Sequence, residues 1–178
     1  MKQIQLLLLL LLPLYILWGC GSAEAIKCYS YPTTKNNLEN AVMKVINNNP
    51  NIRVDSTTQR QMDSAMLANR SQWTPEDSAN YYNGLNAWID IKIKVGESEN
   101  YYLFRYRGDK RNWETLKKSA IFISAARDQN GNTLNQGQNE QGESKSKLAK
   151  DLTDVFEEEI VNKIDKELHL QHRNDCNY

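Results

Sequence analysis

The residues best suited to chemistry lie near the C-terminus, where the two histidines of the chain, His169 and His172, precede Asp175 and Cys176. Two histidines three residues apart on a helix can hold a metal ion together with a carboxylate or a thiolate. A His-dependent nucleophilic catalyst would have to use the same two residues. The segment is polar and terminal, however, so we favour an exposed pair at a fraying helix end. We therefore predict neither a metal site nor a catalytic site. If the chain does bind a metal ion, His169 and His172 are the candidate ligands.

The common catalytic and nucleotide-binding motifs are absent from the sequence. It contains no G-x-S-x-G nucleophile elbow, no P-loop, no G-x-G-x-x-G fingerprint and no EF-hand loop. The acidic run Glu157-Glu158-Glu159 is predicted to be the solvated face of a helix. The sequence therefore predicts no cofactor and favours a protein that is not an enzyme.

A second candidate site is the outward face of a predicted β-hairpin at residues 88–107. Its first arm alternates Ile89, Ile91 and Ile93 with polar residues, which is typical of a half-buried strand. Five residues of this hairpin are candidates for contact with a ligand or a partner: Lys92, Lys94, Tyr101, Arg105 and Arg107. Basic residues mixed with aromatic ones can bind an anion, a carbohydrate or a protein. The alternative, which we favour, is a solvated face on which aliphatic stems cover tyrosine rings.

The hairpin needs further strands and a covering helix, because an isolated hairpin is not stable in water. Residues 96–100 are its predicted loop, and residues 52–55 and 119–126 are two further predicted strands. Residues 145–171 carry the best helical stripe of the chain. The sequence thus predicts an α+β fold: a mainly antiparallel sheet of about four strands with helices packed on one face, including a long C-terminal helix.

Composition divides the chain into segments. We assign residues 1–19 to a signal peptide, 20–31 to a lipid tether and N-terminal segment, 32–171 to a single domain and 172–178 to a C-terminal tail. Within the domain, residues 129–144 are too polar to bury enough apolar surface to offset their ordering entropy. They are predicted to be a flexible loop, with a substrate lid as the alternative.

The N-terminus has the pattern of an export signal that ends at a lipidation site. The apolar run is too short for the roughly 20 residues that a membrane-spanning helix needs. The segment Leu17-Trp18-Gly19-Cys20 resembles a bacterial lipobox, which Leu17, Gly19 and Cys20 match. The resemblance implies a bacterial lipoprotein whose Cys20 carries the lipid, anchored in the cell envelope at the outer membrane or the periplasmic face. The alternative is cleavage after Ala25, which would release a soluble protein.

Charge limits the partners. The chain has 22 basic and 22 acidic residues, and removal of Lys2 with the signal peptide leaves 21 and 22. This balance gives no electrostatic argument for binding nucleic acid or for general adhesion to anionic lipid. Membrane attachment would therefore depend on the lipid on Cys20, and the expected partner is an envelope protein.

The cysteines predict one disulfide. If Cys20 is acylated, Cys28 and Cys176 remain, in a chain exported to a compartment where disulfides persist. They lie near opposite ends of the mature domain, and the termini of compact domains often meet. The alternative is two unrelated thiols in flexible tails.

Three functions stay open on the sequence alone. The first hypothesis is a membrane-anchored envelope lipoprotein that acts as a non-enzymatic binding or assembly factor. The second is a secreted or lipid-anchored hydrolase that uses His169 and His172. The third is an immunity-type protein that neutralises a toxin at the membrane. A deep pocket with converging polar groups would favour the enzyme, and an exposed sheet face or edge would favour a binder.

Overall fold

The computed structural model describes residues 26–55, 68, 70–72, 74, 88–108, 110–136 and 143–175. The predicted signal peptide, the lipidation residue Cys20, the alternative cleavage site after Ala25 and Cys176 all lie outside these residues.

The centre of the fold is an open antiparallel sheet of six strands, in the order β1-β5-β4-β3-β2, with β6 paired to β5. The strands are β1 (Lys27–Tyr31), β2 (Ile52–Val54), β3 (Trp88–Val95), β4 (Ser98–Tyr106), β5 (Ser119–Arg127) and β6 (Thr133–Asn135). The prediction of about four strands is wrong by two. The missed strands, β1 and β6, fall in segments that we predicted to be a tether and a flexible loop, and both pair with the outer side of β5.

The helices include a long C-terminal one, as predicted. They are α1 (Lys35–Asn48), α2 (Lys110–Thr115), α3 (Glu143–Phe156) and α4 (Asn162–Leu168), together with a short 3₁₀ turn at Arg70–Gln72. A π-helical turn, Glu157–Val161, joins α3 to α4 without a break, so the C-terminal helix runs from Glu143 to Leu168. Within the described segments, no helix has the length and apolarity needed to cross a membrane.

The core lies between one face of the sheet and helices α1, α3 and α4. Phe156 is its centre, because its ring lies 5.3 Å from the ring of Tyr102 and 5.2 Å from that of Phe104. Helix α1 contributes a buried stripe that includes Leu38 and Val42. Its first turn is capped by Thr34, whose hydroxyl oxygen accepts a hydrogen bond from the Asn37 amide. Full burial of an aliphatic or aromatic side chain stabilises a fold by about 1.5–3 kcal/mol. The residues of this core therefore hold the helices against one face of the sheet.

Two predicted loops are more regular than expected. The hairpin between β3 and β4 turns over two residues, Gly96 and Glu97, rather than over residues 96–100. Gly96 has a φ of +62°, which glycine adopts without strain at the first central position of a tight hairpin turn. The loop predicted at 129–144 contains strand β6, and α3 begins at Glu143. Its residues 137–142 lie outside the described part of the chain.

Candidate functional site

Along the two strands of the hairpin, successive side chains point alternately into the core and to the opposite face of the sheet. In β4, Tyr102, Phe104 and Tyr106 are buried in the core, whereas the side chains between them lie on the opposite face of the sheet. We call this opposite face the outer face; it carries Tyr101 and Arg105 on β4, and Lys92 on β3. The predicted alternation of the hairpin is therefore present in the structure.

A row of basic and aromatic side chains crosses four strands of the outer face. Arg53 of β2 pairs with Lys92 of β3, Lys92 pairs with Tyr101 of β4, and Tyr101 pairs with Arg127 of β5. Directly opposed residues of an antiparallel sheet have Cβ atoms about 5 Å apart, so neighbours in this row interact. The guanidinium of Arg127 lies over the Tyr101 ring, 5.2 Å from its centroid.

Part of this row forms the floor of a groove of about 560 Å³, which we call the hairpin groove. One wall is the end of the β3–β4 hairpin, and the other is the turn that follows β5. The groove is lined by Lys92, Glu97, Ser98, Glu99, Asn100, Tyr101, Arg127, Asp128, Gln129 and Gly131. Its volume is within the range of small-ligand sites, and its lining is mainly polar.

The one carboxylate of the wall that follows β5 is held by hydrogen bonds. Both oxygens of Asp128 accept hydrogen bonds within the turn, from the backbone N–H groups of Asn130 and Asn132 and from their side-chain amides. Burial opposes ionisation, but the bonds from Asn132 and Asn130 outweigh it and hold the pKa of Asp128 below its usual value. Gly131 permits this turn with a φ of +84°. Asp128 is therefore a structural anion that shapes the wall.

Within the described part of the chain, two of the basic side chains near the groove are paired with carboxylates, whereas Arg127 is not. Lys92 Nζ lies 2.8 Å from Asp55 Oδ2, and Arg53 Nη2 lies 3.2 Å from both carboxylate oxygens of Glu99. Arg127 contacts no carboxylate among the residues that the structure describes, and its recorded contact is with the Tyr101 ring. Arg127 lines the groove, and a guanidinium that lies over an aromatic ring can still use the hydrogen-bond donors at its edge.

The other predicted face residues lie away from the groove. Lys94 is exposed and pairs in register with Glu99 near the hairpin end. Arg105 lies over the Phe122 ring at 4.7 Å, and burial, followed by the charge of Arg107, lowers its pKa. Arg107 follows the end of β4. Of the five predicted residues, the structure places only Lys92 and Tyr101 in the groove.

Sequence reasoning missed Arg127, because the predicted strand ended at residue 126. The alternation of side chains along β5 does not predict which face Arg127 occupies, because a register shift between Leu103 and Phe104 interrupts the pairing of β4 with β5. Only the register itself brings Arg127 opposite Tyr101.

The two histidines do not share a helix face. Helix α4 ends at Leu168, and His169 caps it in the left-handed conformation with a φ of +54°. His172 lies beyond the helix, where its Nδ1 is 2.9 Å from Asp165 Oδ2 and its ring meets the edge of the Tyr29 ring. Within the described segments, no three His, Cys, Asp or Glu side chains are grouped to hold a metal ion.

The acidic run of the C-terminal helix is not a solvated face, contrary to our prediction. Glu157 accepts a hydrogen bond from the Tyr29 hydroxyl over 3.1 Å and pairs with Lys27. Glu159, whose side chain is only 16% exposed, binds the Asn49 amide and Lys163, both at 2.6 Å. The π-helical turn brings both carboxylates against neighbouring elements, and only Glu158 is exposed.

Cys28 lies in β1 and is disulfide-bonded. The other predicted member of its bridge, Cys176, is outside the described residues.

No protein-family model matches this chain, and the searches of curated proteins and of solved structures found no significant match.

Proposed function

We propose that this protein is a non-enzymatic binding factor of the bacterial cell envelope, held at the membrane by a lipid on Cys20. Its binding site is the hairpin groove. The observation that carries the proposal is Arg127, a cation stacked on Tyr101 in a groove whose other basic floor residue, Lys92, is already paired.

The chemistry of the groove indicates the class of ligand. A guanidinium edge binds carboxylates with two parallel hydrogen bonds, and a tyrosine ring supports apolar atoms beside them. Glu97 and Glu99 on the hairpin wall make a polyanion unfavourable. A ligand with a single carboxylate next to an amide or an amino group, such as part of a peptide, matches these charges. Its carboxylate can bind Arg127, and its N–H groups can face the carboxylates of the hairpin wall.

Within the described segments, the groove shows no nucleophile in contact with a base. It is lined by no histidine and no cysteine among the described residues. Of the three carboxylates in the lining, Asp128 is engaged by the backbone amides of its own turn and Glu99 by Arg53, and Glu97 is exposed at the hairpin turn. Without an available nucleophile and base in contact, binding is better supported than catalysis.

A matched pair of small ligands tests this function. The mature chain with Cys20→Ala, labelled with ¹⁵N, is titrated with N-acetylglutamate and with its neutral analogue N-acetylglutamine. We expect saturable shifts of the Tyr101 and Arg127 amides with the carboxylate, and at least about tenfold weaker binding of the amide, because one charge-assisted pair is worth about 1.5–3 kcal/mol.

The controls are two arginine variants. Arg127→Ala should abolish the preference for the carboxylate, whereas Arg111→Ala, an exposed change on α2, should preserve it. Equal binding of the two ligands, or an unchanged preference in Arg127→Ala, would remove the basis of the proposal.

A further inference from the structure

The chain beyond helix α4 returns to the edge of the sheet. The Ser30 amide donates a hydrogen bond to the Arg173 carbonyl oxygen, and the Arg173 amide donates one to the Ser30 carbonyl oxygen, both over 2.9 Å. This reciprocal pair is the closely spaced antiparallel arrangement of a β-ladder. The C-terminal segment, residues 169–175, therefore covers part of the open side of β1.

Side chains hold this segment at its middle and at its last described residue. His172 contacts Asp165 of α4 at 2.9 Å. Asp175 accepts a hydrogen bond from the Ser30 hydroxyl over 3.0 Å, and Lys118 lies 3.4 Å from the same carboxylate oxygen. The last described residue is thus tied to β1 and to the segment before β5.

The contact of Ser30 with Asp175 brings the end of the chain to the part of β1 that contains Cys28. The bridge between Ser30 and Arg173 is a single pair, and the chain bends at Asn174, so the Ser30–Asp175 contact is what holds the end of the chain beside β1. Cys28 and Ser30 project on the same side of the strand, and Ser30 meets Asp175 on that side. Cys28 lies two residues from Ser30, about 6.6 Å along β1, and Cys176 directly follows Asp175 in the sequence, so Cys176 can reach the Cα span of about 4.4–6.8 Å that a disulfide with Cys28 requires.

We infer that Cys28 is bonded to Cys176, and that this disulfide locks the C-terminal segment onto the β1 edge. Cys28 is disulfide-bonded, and the chain has only two other cysteines, Cys20 and Cys176. The contacts of Ser30 with Arg173 and Asp175 favour Cys176. The bond forms by exchange with an oxidised thiol–disulfide oxidoreductase: the two thiols lose two protons and two electrons, and the oxidoreductase leaves as the dithiol.

Two consequences follow for the exported protein. The lock keeps an edge strand from pairing with other chains, which unprotected edges tend to do. It also leaves Cys20 as the one cysteine outside the bridge, with its thiol available for acylation. A bridge from Cys28 to Cys20 would instead consume that thiol.

Tryptic mapping without reduction distinguishes these pairings. Cleavage after Lys27, Lys35 and Arg173 yields the peptides 28–35 and 174–178, which we expect to be joined in the full-length exported protein and to separate on reduction. A peptide that joins Cys28 to Cys20, or alkylation of Cys28 without reduction, would overturn the inference.

Hydrogen exchange tests the lock itself in the intact protein. Reduction should make the amides of Ser30 and Arg173 exchange at least about tenfold faster, while the core amide of Ile91 keeps its protection. Cys176→Ser should give the same pattern without a reductant. Unchanged exchange at Ser30 after reduction would show that the disulfide does not secure this edge.

Discussion

The Tyr102 hydroxyl donates a hydrogen bond of 2.9 Å to the backbone carbonyl oxygen of Leu152. This bond joins the middle of the sheet to helix α3, one turn before the π-helical turn. Both residues are buried, so no water can replace the partner of either group. The sheet and the C-terminal helix are thus joined by a specific polar contact as well as by apolar packing.

Two tyrosines of β4 should respond in opposite ways to loss of the hydroxyl. Tyr102→Phe should lower the free energy of unfolding by about 0.5–1.5 kcal/mol, because the Leu152 carbonyl loses its donor. The Tyr106 hydroxyl is buried and has no hydrogen-bond partner in the described part of the chain, so Tyr106→Phe should be neutral or stabilising. Denaturant unfolding measures both variants. Equal losses of stability would contradict the assigned bonding.

The parts of the fold with strong periodicity could be predicted from the sequence. The alternation of Ile89, Ile91 and Ile93 identified β3, and the apolar stripe on the C-terminal helix identified the main covering element. Strand β1 also alternates, with Tyr29 and Tyr31 buried, but it lies in the segment that we predicted to be a tether and contains only five residues. Strand β6 has one apolar residue, Leu134, and its pairing with β5 alone defines it.

The composition of the groove and the contacts of the acidic run could not be predicted fully from the sequence, because both depend on tertiary structure. Lys92 and Tyr101 could be assigned to one face because hairpin strands alternate. Arg127 could not, because no local pattern states which strand lies next to β4. The engagement of Glu157 and Glu159 follows from the π-helical turn, whose extra residue changes the helical phase in a way that an apolar stripe does not reveal.

Glu159 should make the free energy of unfolding depend on pH in the acidic range. Burial opposes its ionisation, but hydrogen bonds from Asn49 and Lys163 outweigh burial and lower its pKa below the usual value. A carboxyl with a lowered pKa in the folded state stabilises the fold above its unfolded pKa, and this contribution is lost as the pH falls through the folded pKa. We therefore expect the unfolding free energy to fall as the pH decreases through the usual glutamate pKa of about 4.3 and below it.

Neighbouring glutamates provide the comparison for this prediction. Glu159→Gln should be less stable at pH 7 and should show a shallower decline over the acidic range. Glu158→Gln, an exposed change on the same turn, should keep the slope of the unaltered protein. Urea unfolding across the pH series gives both slopes, and a slope unaffected by Glu159→Gln would show that another group dominates.

Cys20→Ala tests the membrane anchor. If Cys20 carries the lipid, the change should move the protein from the membrane fraction to the soluble fraction or block its processing, because each buried CH₂ of an acyl chain contributes about 0.8 kcal/mol to membrane binding. Fractionation followed by mass spectrometry of the N-terminus measures the outcome. An unmodified N-terminus at Ile26 in the unaltered protein would contradict lipidation.

Site-specific photo-crosslinking in the producing cells tests most directly whether the hairpin groove is the binding site. A photoreactive phenylalanine analogue replaces Gln129 in the groove or, as the control, Lys147 on the exposed side of α3. We predict a discrete adduct from position 129 that disappears when Arg127→Ala is added, and no such adduct from position 147. An adduct from position 129 that persists in Arg127→Ala, or the same adduct from position 147, would contradict the account.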